Sequence, residues 1–313
     1  MLTFRAVSER VDAALTLLSE ALRAYALPGE DVEGQLGRLG ALVREGGAEG
    51  IVAEGSGEAV GLALWDDDNA IGRTLEFVYL VDGRRSLAQY AALVDAATPS
   101  DRPLAFAPGQ LAGVPEVEVD AFFRGRGFAR FGRSEMRYPP EAPTPPETAP
   151  PGLELRSPTL ADSEALARLH ARAFATEFDR YLFVQHADPL EDARLLVRQT
   201  FEGRWGEFLG FASVLATDAG AVVGACLVTR APYGPLLVDV ATDPERQGRG
   251  IGSAIVRASI GRLRSRGESV IVLNVTEGNG PALRAYERIG FVRTLGPGWG
   301  YYSTRAIPVP GPD

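Results

Sequence analysis

The sequence predicts an α+β fold with mixed sheets, built twice along 313 residues. Three observations carry that expectation. Strand-like and helix-like apolar periods follow one another in the same order in both halves. A proline-rich stretch, Pro139–Gly152 (PPEAPTPPETAPPG), separates them with seven prolines in fourteen residues; it has no apolar period and few backbone donors, so it reads as an extended, semi-rigid linker. Finally, Gly57, Val60, Gly61, Gly127, Phe128 and Arg130 recur 163 positions later as Gly220, Val223, Gly224, Gly290, Phe291 and Arg293. Several matches at one offset read as an internal duplication, too short for a solenoid. The expected domains are residues 1–138 and 153–313, each long enough to bury a core.

In the first half, alternating apolar residues predict strands at Leu2–Val7, Gly50–Glu54, Ala59–Trp65 and Leu75–Val81. Helical spacing predicts Leu87–Ala97 and a helix around Val117–Arg124. The second half repeats the order more clearly. Leu153–Arg156 is a short strand, and Thr159 opens an amphipathic helix with Leu166, Leu169 and Phe174 on one face. Glu191–Phe201 is a second helix, and Phe211–Ala216 and Ala221–Thr229 form a hairpin across Thr217-Asp218-Ala219-Gly220. Leu236–Thr242 is a strand. Gly250–Arg266 is a helix with Arg262, Arg264 and Arg266 in its last turn and Gly267 as its stop. Ser269–Val275 is a strand, Pro281–Ile289 a helix opened by proline, and Phe291–Leu295 and Tyr301–Ala306 close the half as strands.

Composition excludes several classes of function. All 32 basic residues are arginine, so no Schiff-base or lysyl-nucleophile chemistry is available. The 41 acidic residues leave a net charge of -9, which repels nucleic acid and anionic lipid. The single cysteine, Cys226, has no intramolecular partner, and two histidines make no spaced metal-ligand set, so no metal is expected. Met1–Val7 lacks the layout of a leader peptide and no apolar run approaches a spanning helix, so the cytoplasm is the expected compartment.

The most informative segment is Thr242-Asp243-Pro244-Glu245-Arg246-Gln247-Gly248-Arg249-Gly250-Ile251-Gly252, between a predicted strand and a predicted helix. Its glycines let backbone N–H groups approach a ligand closely, and the helix start points unpaired donors and a positive dipole end into the same space. A pyrophosphate suits that geometry, with Arg246 and Arg249 adding charge. It is not a P-loop, because no Gly-Lys-Ser/Thr follows, and its glycine spacing differs from a dinucleotide fingerprint. A glycine-rich tight turn entering a helix is the plainer alternative.

Gln247-x-x-Gly250-x-Gly252 resembles the acyl-CoA-binding signature of the GNAT superfamily of N-acyltransferases. Asn279-Gly280-Pro281-Ala282-x-x-x-Tyr286-x-x-x-Gly290-Phe291 resembles that family's later signature, in the right order and at a suitable distance. The resemblance implies two tandem GNAT folds, with acyl-CoA wedged between the splayed strands Leu236–Thr242 and Ser269–Val275. Pantetheine would then run along Val240, Ala241 and Thr242. The pyrophosphate would meet Gln247, Gly248, Arg249, Gly250, Ile251, Gly252 and Ser253, and Asn279, Ala282 and Tyr286 would complete the cofactor site.

The chemistry implied is acetyl transfer from acetyl-CoA to an amine by direct attack in a ternary complex. A primary amine is mostly protonated at pH 7, so a proton acceptor is needed, and the departing thiolate needs a proton. The resemblance puts Tyr286 near the thioester sulfur as that donor; a ring packed in the core is the alternative. Many family members carry Glu where alignment on Gln247 puts Leu236, so Asp239, expected on the opposite strand face from Leu236, is the candidate base or proton-relay anchor. Glu177 and Asp179 read as solvated loop carboxylates, His170 as a packing-edge residue, His186 as a surface residue and Cys226 as a buried strand residue.

The offset of 163 puts Arg84, Leu87, Gln89, Glu116 and Phe123 in the first half where the second has Gln247, Gly250, Gly252, Asn279 and Tyr286. Every cofactor feature is absent there, so the first half reads as a degenerate GNAT-like domain that binds no acyl-CoA. The whole resembles tandem GNAT enzymes in which one half is catalytic. The expected partner is a small-molecule amine, with selectivity in Phe174–Asp188 and Leu295–Tyr302. A non-catalytic acyl-CoA sensor or scaffold and a protein N-terminal acetyltransferase are the rival readings. Oligomeric state stays open, a homodimer included.

Overall fold

The structure, a computed structural model, describes residues 2–25, 31–67, 73–99, 104–107, 110–175, 188–231, 234–294 and 299–303. The chain divides into two compact units. One contains Met1–Arg130 joined by Gly300–Ser303, and the other Phe131–Trp299.

In the first unit, β1 (Thr3–Ala6), β2 (Glu49–Gly55), β3 (Glu58–Asp66), β4 (Arg73–Leu80) and β5 (Leu104–Phe106) pair in sequence order. All pairs are antiparallel except β4–β5. Two helices cover one face, α1 (Val11–Tyr25) and α2 (Val32–Arg44), where no element is expected from sequence. Ala14, Leu17, Leu18 and Ala21 of α1 pack there against Val52, Leu62, Leu64 and Tyr79. Helices α3 (Leu87–Ala97) and α4 (Glu116–Gly125) pack on the other face around Phe106, Phe123 and Phe128.

The second unit has the same plan. Its sheet contains β6 (Ala129–Tyr138), β7 (Glu154–Arg156), β9 (Val214–Asp218), β10 (Ala221–Ala231), β11 (Gly234–Thr242) and β12 (Ile271–Thr276), in the order β7-β9-β10-β11-β12-β6. Short strands β8 (Glu207–Phe208) and β13 (Val292–Arg293) pair with β10 and β6. Helices α5 (Ser163–Ala173) and α6 (Pro189–Phe201) cover one face, and α7 (Ile251–Arg264) and α8 (Gly280–Ile289) the other. Shifted by 163, β2, β3, β4, α3 and α4 fall on β9, β10, β11, α7 and α8.

Two expectations are corrected. The boundary expected at Tyr138 lies instead near Arg130, because β6 is the antiparallel neighbour of β12, in register from Ile271↔Tyr138 to Thr276↔Arg133. Conversely, β14 (Trp299–Ser303), expected to close the second half, pairs with β5 through Tyr302↔Phe106 and Ser303↔Ala105. Each unit is thus completed by a strand that the repeat assigns to the other. A strand's own period selects its faces but not the edge it pairs with.

The proline stretch, read as an extended, semi-rigid linker, is held against the second unit. Arg262 donates from Nε and Nη2 to the Glu147 carboxylate at 3.0 and 2.6 Å, holding Glu147 below its ordinary pKa. Arg264 donates to the Pro139 carbonyl at 2.5 Å, the Tyr138 hydroxyl to Pro143 at 2.6 Å, and Ala142 packs on the core. The stretch is a strap laid along α7. No helix among the described residues is long and apolar enough to cross a membrane.

Candidate functional site

The site begins with a break in strand pairing. The parallel strands β11 and β12 are in register only at Leu236↔Val272 and Leu237↔Leu273, and beyond that they part. A bulge lies at the same place, since Leu227 faces Asp239 while Val228 faces Leu237, leaving Val238 as the extra residue. Such a residue bends its strand and increases its twist. The Asp243 amide donates to Val223 at 3.0 Å. By antiparallel alternation, Ala241 and Asp239 therefore direct their main-chain groups at β10, and Val240 and Thr242 direct theirs toward the gap. Ala241, expected among the cofactor contacts, instead packs its side chain into the core beneath α5. The gap is a cleft walled by Arg133, Phe174, Val238–Val240, Asn274–Thr276, Asn279, Ala282 and Tyr286.

The glycine loop follows β11. Asp243 accepts from the Glu245 amide at 3.1 Å, shaping the turn, and Gly248 and Gly250 both adopt φ +78°. An L-residue is strained in that region. A Cβ at either position would meet nothing within 4 Å, so the cradle is open on that side. Gly250 caps α7 without a side-chain bond, and the helix's own ladder starts with Ala254 donating to Gly250 at 3.0 Å. The amides of Ile251, Gly252 and Ser253 thus precede any intrahelical acceptor and point out of the helix end. Gln247, Gly248, Arg249 and Gly250 are exposed, while the Ile251 side chain is buried beneath them. Arg246, expected to add charge to this cradle, is ion-paired with Asp218 instead.

On the cleft's other wall, Asn279 caps α8 by accepting from the Ala282 amide at 3.2 Å. Asn279, Ala282 and Tyr286, at i, i+3 and i+7, share one helix face and all line the cleft. The Tyr286 ring is partly buried and packs edge-on to Phe291 at 5.9 Å between centroids.

Asp239 departs from its sequence placement. The bulge cancels the alternation: Leu237 and Val240 belong to the core beneath α7, whereas Val238 and Ala241 belong to the core beneath α5. Asp239 reaches the α5 side, the side on which Leu236 falls by alternation with Leu237, and its Oδ2 lies 3.1 Å from Nδ1 of His170. His170 is therefore not a packing-edge residue; it is 4% exposed and stacked on Phe174 at 4.3 Å between centroids. The two residues are 69 positions apart, so no local spacing signals the pair. Its only sequence trace is His170 standing one residue after Leu169 on an otherwise apolar face. Cys226 is fully buried, and burial pushes its thiol up to about 12, leaving it protonated and inert. Glu177, Asp179, His186 and residues 295–298 lie outside the described residues.

The counterpart opening in the first unit is filled. Strands β4 and β5 also pair only at Arg73↔Leu104 and Thr74↔Ala105. Beyond those pairs, however, the Gln110 amide donates to the carbonyls of Leu75 and Glu76 at 2.9 and 3.3 Å. Phe123, at the position matching Tyr286, is fully buried and packs edge-on to Phe106 and Phe128 at 4.9 and 5.3 Å.

Comparison with known proteins agrees with this geometry. Residues 164–291 match the acetyltransferase (GNAT) family. A mycothiol acetyltransferase from Thermobispora bispora is 35% identical over 167 residues, covering 50% of this chain and 52% of that protein. The chain thus spans about half the length of the curated relatives it matches first. A mycothiol acetyltransferase from Geodermatophilus obscurus aligns over 90% of this chain and 91% of its own, at 28% identity. Among solved structures, a GCN5-related N-acetyltransferase from Sphaerobacter thermophilus superposes with a TM-score of 0.58 at 20% identity, covering 96% of this chain and 94% of its own. A tandem GNAT protein from the clavulanic acid biosynthesis pathway superposes with a TM-score of 0.54 at 16% identity, covering 98% and 99%. The fold is that of tandem GNAT proteins, and the match to the acetyltransferase (GNAT) family lies in the second unit.

Proposed function

We propose that the second unit transfers an acetyl group from acetyl-CoA to the amine of a small-molecule acceptor, by direct attack in a ternary complex. The observation that carries this reading is the meeting of an open, side-chain-free helix start with a gap between two parted parallel strands. Acetyl-CoA supplies an acetyl group activated as a thioester. Gln247, Arg249 and the amides from Gly248 to Ser253 hold its pyrophosphate. The main chains of Val240 and Thr242 hold the pantetheine arm, and the Val240 N–H polarises the thioester carbonyl. Asn279 and Ala282 form the facing wall. Tyr286 gives its phenolic proton to the departing thiolate, and Asp239 anchors the path that takes the proton from the amine. The first unit, with its gap filled by Gln110 and Phe123, binds no acyl-CoA and serves as scaffold. The relatives named mycothiol acetyltransferase support a small-molecule acceptor over a polypeptide.

The test is acetyl-CoA-dependent thiol release over a broad panel of amines. Turnover with at least one small amine is the expected result. Acetyl-CoA binding without turnover on any amine or peptide would favour a sensor.

A further inference from the structure

We propose that Arg133 takes an oxyanion of the acceptor, a carboxylate or a phosphate, so that amines carrying such a group are preferred; this rests on the acetyl-transfer reading and deepens it. Arg133 lies on β6, the strand that the repeat assigns to the first half, and it lines the cleft with Phe174 and Asp239. Its Nη2 donates to the Asn274 carbonyl at 2.9 Å. Asn274 is the first residue of β12 beyond Leu273, the last position paired with β11, so the guanidinium is held where the gap opens.

Strand register puts these groups on one side of the sheet. Met136 and Tyr138 of β6, with Leu273 and Val275 of β12, belong to the core beneath α7. By alternation Arg133, in register with Thr276, and Asn274, in register with Glu135, face the other side. That is the side of α5, where Phe174 packs and Asp239 reaches. Among the described residues, the core beneath α5 takes side chains from β9, β10 and β11 but none from β12 or β6. Those two strands therefore offer a polar face beside the gap, on the side away from the α7 start proposed for the cofactor. A guanidinium carries five N–H donors in a planar fork, and one bond to a neutral carbonyl fixes its plane. The fork matches a carboxylate or phosphate with two parallel bonds. Of the nearby acids, Glu135 accepts from Nε of Arg137 at 2.7 Å and Glu277 from Oγ of Ser134 at 3.3 Å. The chain's net charge of -9 repels anions at long range, so a local cation is what holds one in this cleft.

The experiment compares wild type, Arg133→Gln and Arg133→Lys as full chains. Only β12 separates β6 from the gap, one strand spacing of about 4.8 Å, which a short chain between amine and anion spans. Thiol release is therefore measured with 4-aminobutanoate against 4-aminobutanamide, and with 2-aminoethyl phosphate against ethanolamine. Binding of both anionic amines to the CoA-loaded protein is measured separately by calorimetry. In wild type, kcat/KM should favour an anionic amine over its neutral counterpart about tenfold or more, the scale of a hydrogen bond to a charged group. The pair that shows the preference tells carboxylate from phosphate. Arg133→Gln should lose the preference through KM, and Arg133→Lys, which keeps the charge without the fork, should retain part of it. Should Arg133→Gln also lose acetyl-CoA binding, a sign of misfolding, the fall of the same ratio in Arg133→Lys decides. Neutral amines preferred in wild type, or a preference that survives in both variants, overturns the proposal and leaves acetyl transfer standing. No turnover together with Arg133-dependent binding of an anionic amine rejects acetyl transfer and supports the anion site. Neither turnover nor binding of either anionic amine in wild type overturns the proposal outright.

Discussion

Replacing Gly250 with alanine tests the loop and the proposed cofactor site together. The added Cβ meets nothing within 4 Å, so the perturbation is purely one of backbone conformation at φ +78°. Holding an L-residue in the left-handed region costs about 1–2 kcal/mol. A unit of this size loses roughly 2–4 °C of Tm per kcal/mol, so a fall of about 2–8 °C is expected. Gly37 is the control. It sits in the interior of α2 with nothing within 4 Å of the methyl that alanine adds and an ordinary helical φ. Alanine there should stabilise by about 0.5–1 kcal/mol. The same chemical change thus has opposite signs at two positions. Thermal unfolding with and without acetyl-CoA is the assay. In wild type, ligand at a hundredfold over Kd should add about 2.7 kcal/mol. In Gly250→Ala the increment should shrink, because the amides of Ile251 and Gly252 are re-aimed; losing one hydrogen bond to a charged group weakens binding about tenfold or more. An undiminished acetyl-CoA increment in Gly250→Ala would refute the role given to the loop, and an unchanged Tm would refute the strain argument.

Four further outcomes follow from the same geometry. Tyr286→Phe should lower kcat by about a hundredfold, the scale of one general acid, with acetyl-CoA Kd unchanged by calorimetry; an unchanged kcat removes the phenol from the chemistry. Calorimetry of the whole chain should find one acetyl-CoA site, and two would contradict the filled gap around Gln110 and Phe123. Asp162, held at about 2 chiefly by the Arg156 guanidinium and also by Thr159, lies below its unfolded value of about 3.9, so its contribution is complete above that pH and lost as pH falls through 2. Asp162→Asn should therefore cost about 1 kcal/mol at pH 7, the scale of a capping residue, in urea titrations whose difference from wild type vanishes below pH 2. Deleting the chain from Trp299 onward should raise hydrogen exchange at Leu104–Phe106 of the first unit, because β14 pairs there; protection unchanged at β5 would contradict that pairing.

Much of the fold is legible in the sequence because its signals are local. The α7 start needs two left-handed residues, and only glycine at 248 and 250 supplies them without strain, so the loop is visible in the letters. The repeat is legible for a similar reason, since Gly57 and Gly220 occupy equivalent turns with φ +87° each. Helix α1, absent from the expected elements, nonetheless carries a local signal in the i, i+3, i+4, i+7 spacing of Ala14, Leu17, Leu18 and Ala21. Helix α2 hides better, because Gly34, Gly37 and Gly40 depress its propensity and only packing against α1 and the sheet restores it.

The glycine-rich start of α7 and the Asn279–Tyr286 helix face can be read in the letters alone, each a property of residues within a dozen positions of one another. Which sheet edge β6 and β14 complete, and that the bulge at Val238 turns Asp239 onto His170, emerge only in the assembled sheet. Main-chain edges are chemically alike in every strand, and one extra residue inverts every face after it. Those choices are made by long-range packing, which no short window of sequence contains.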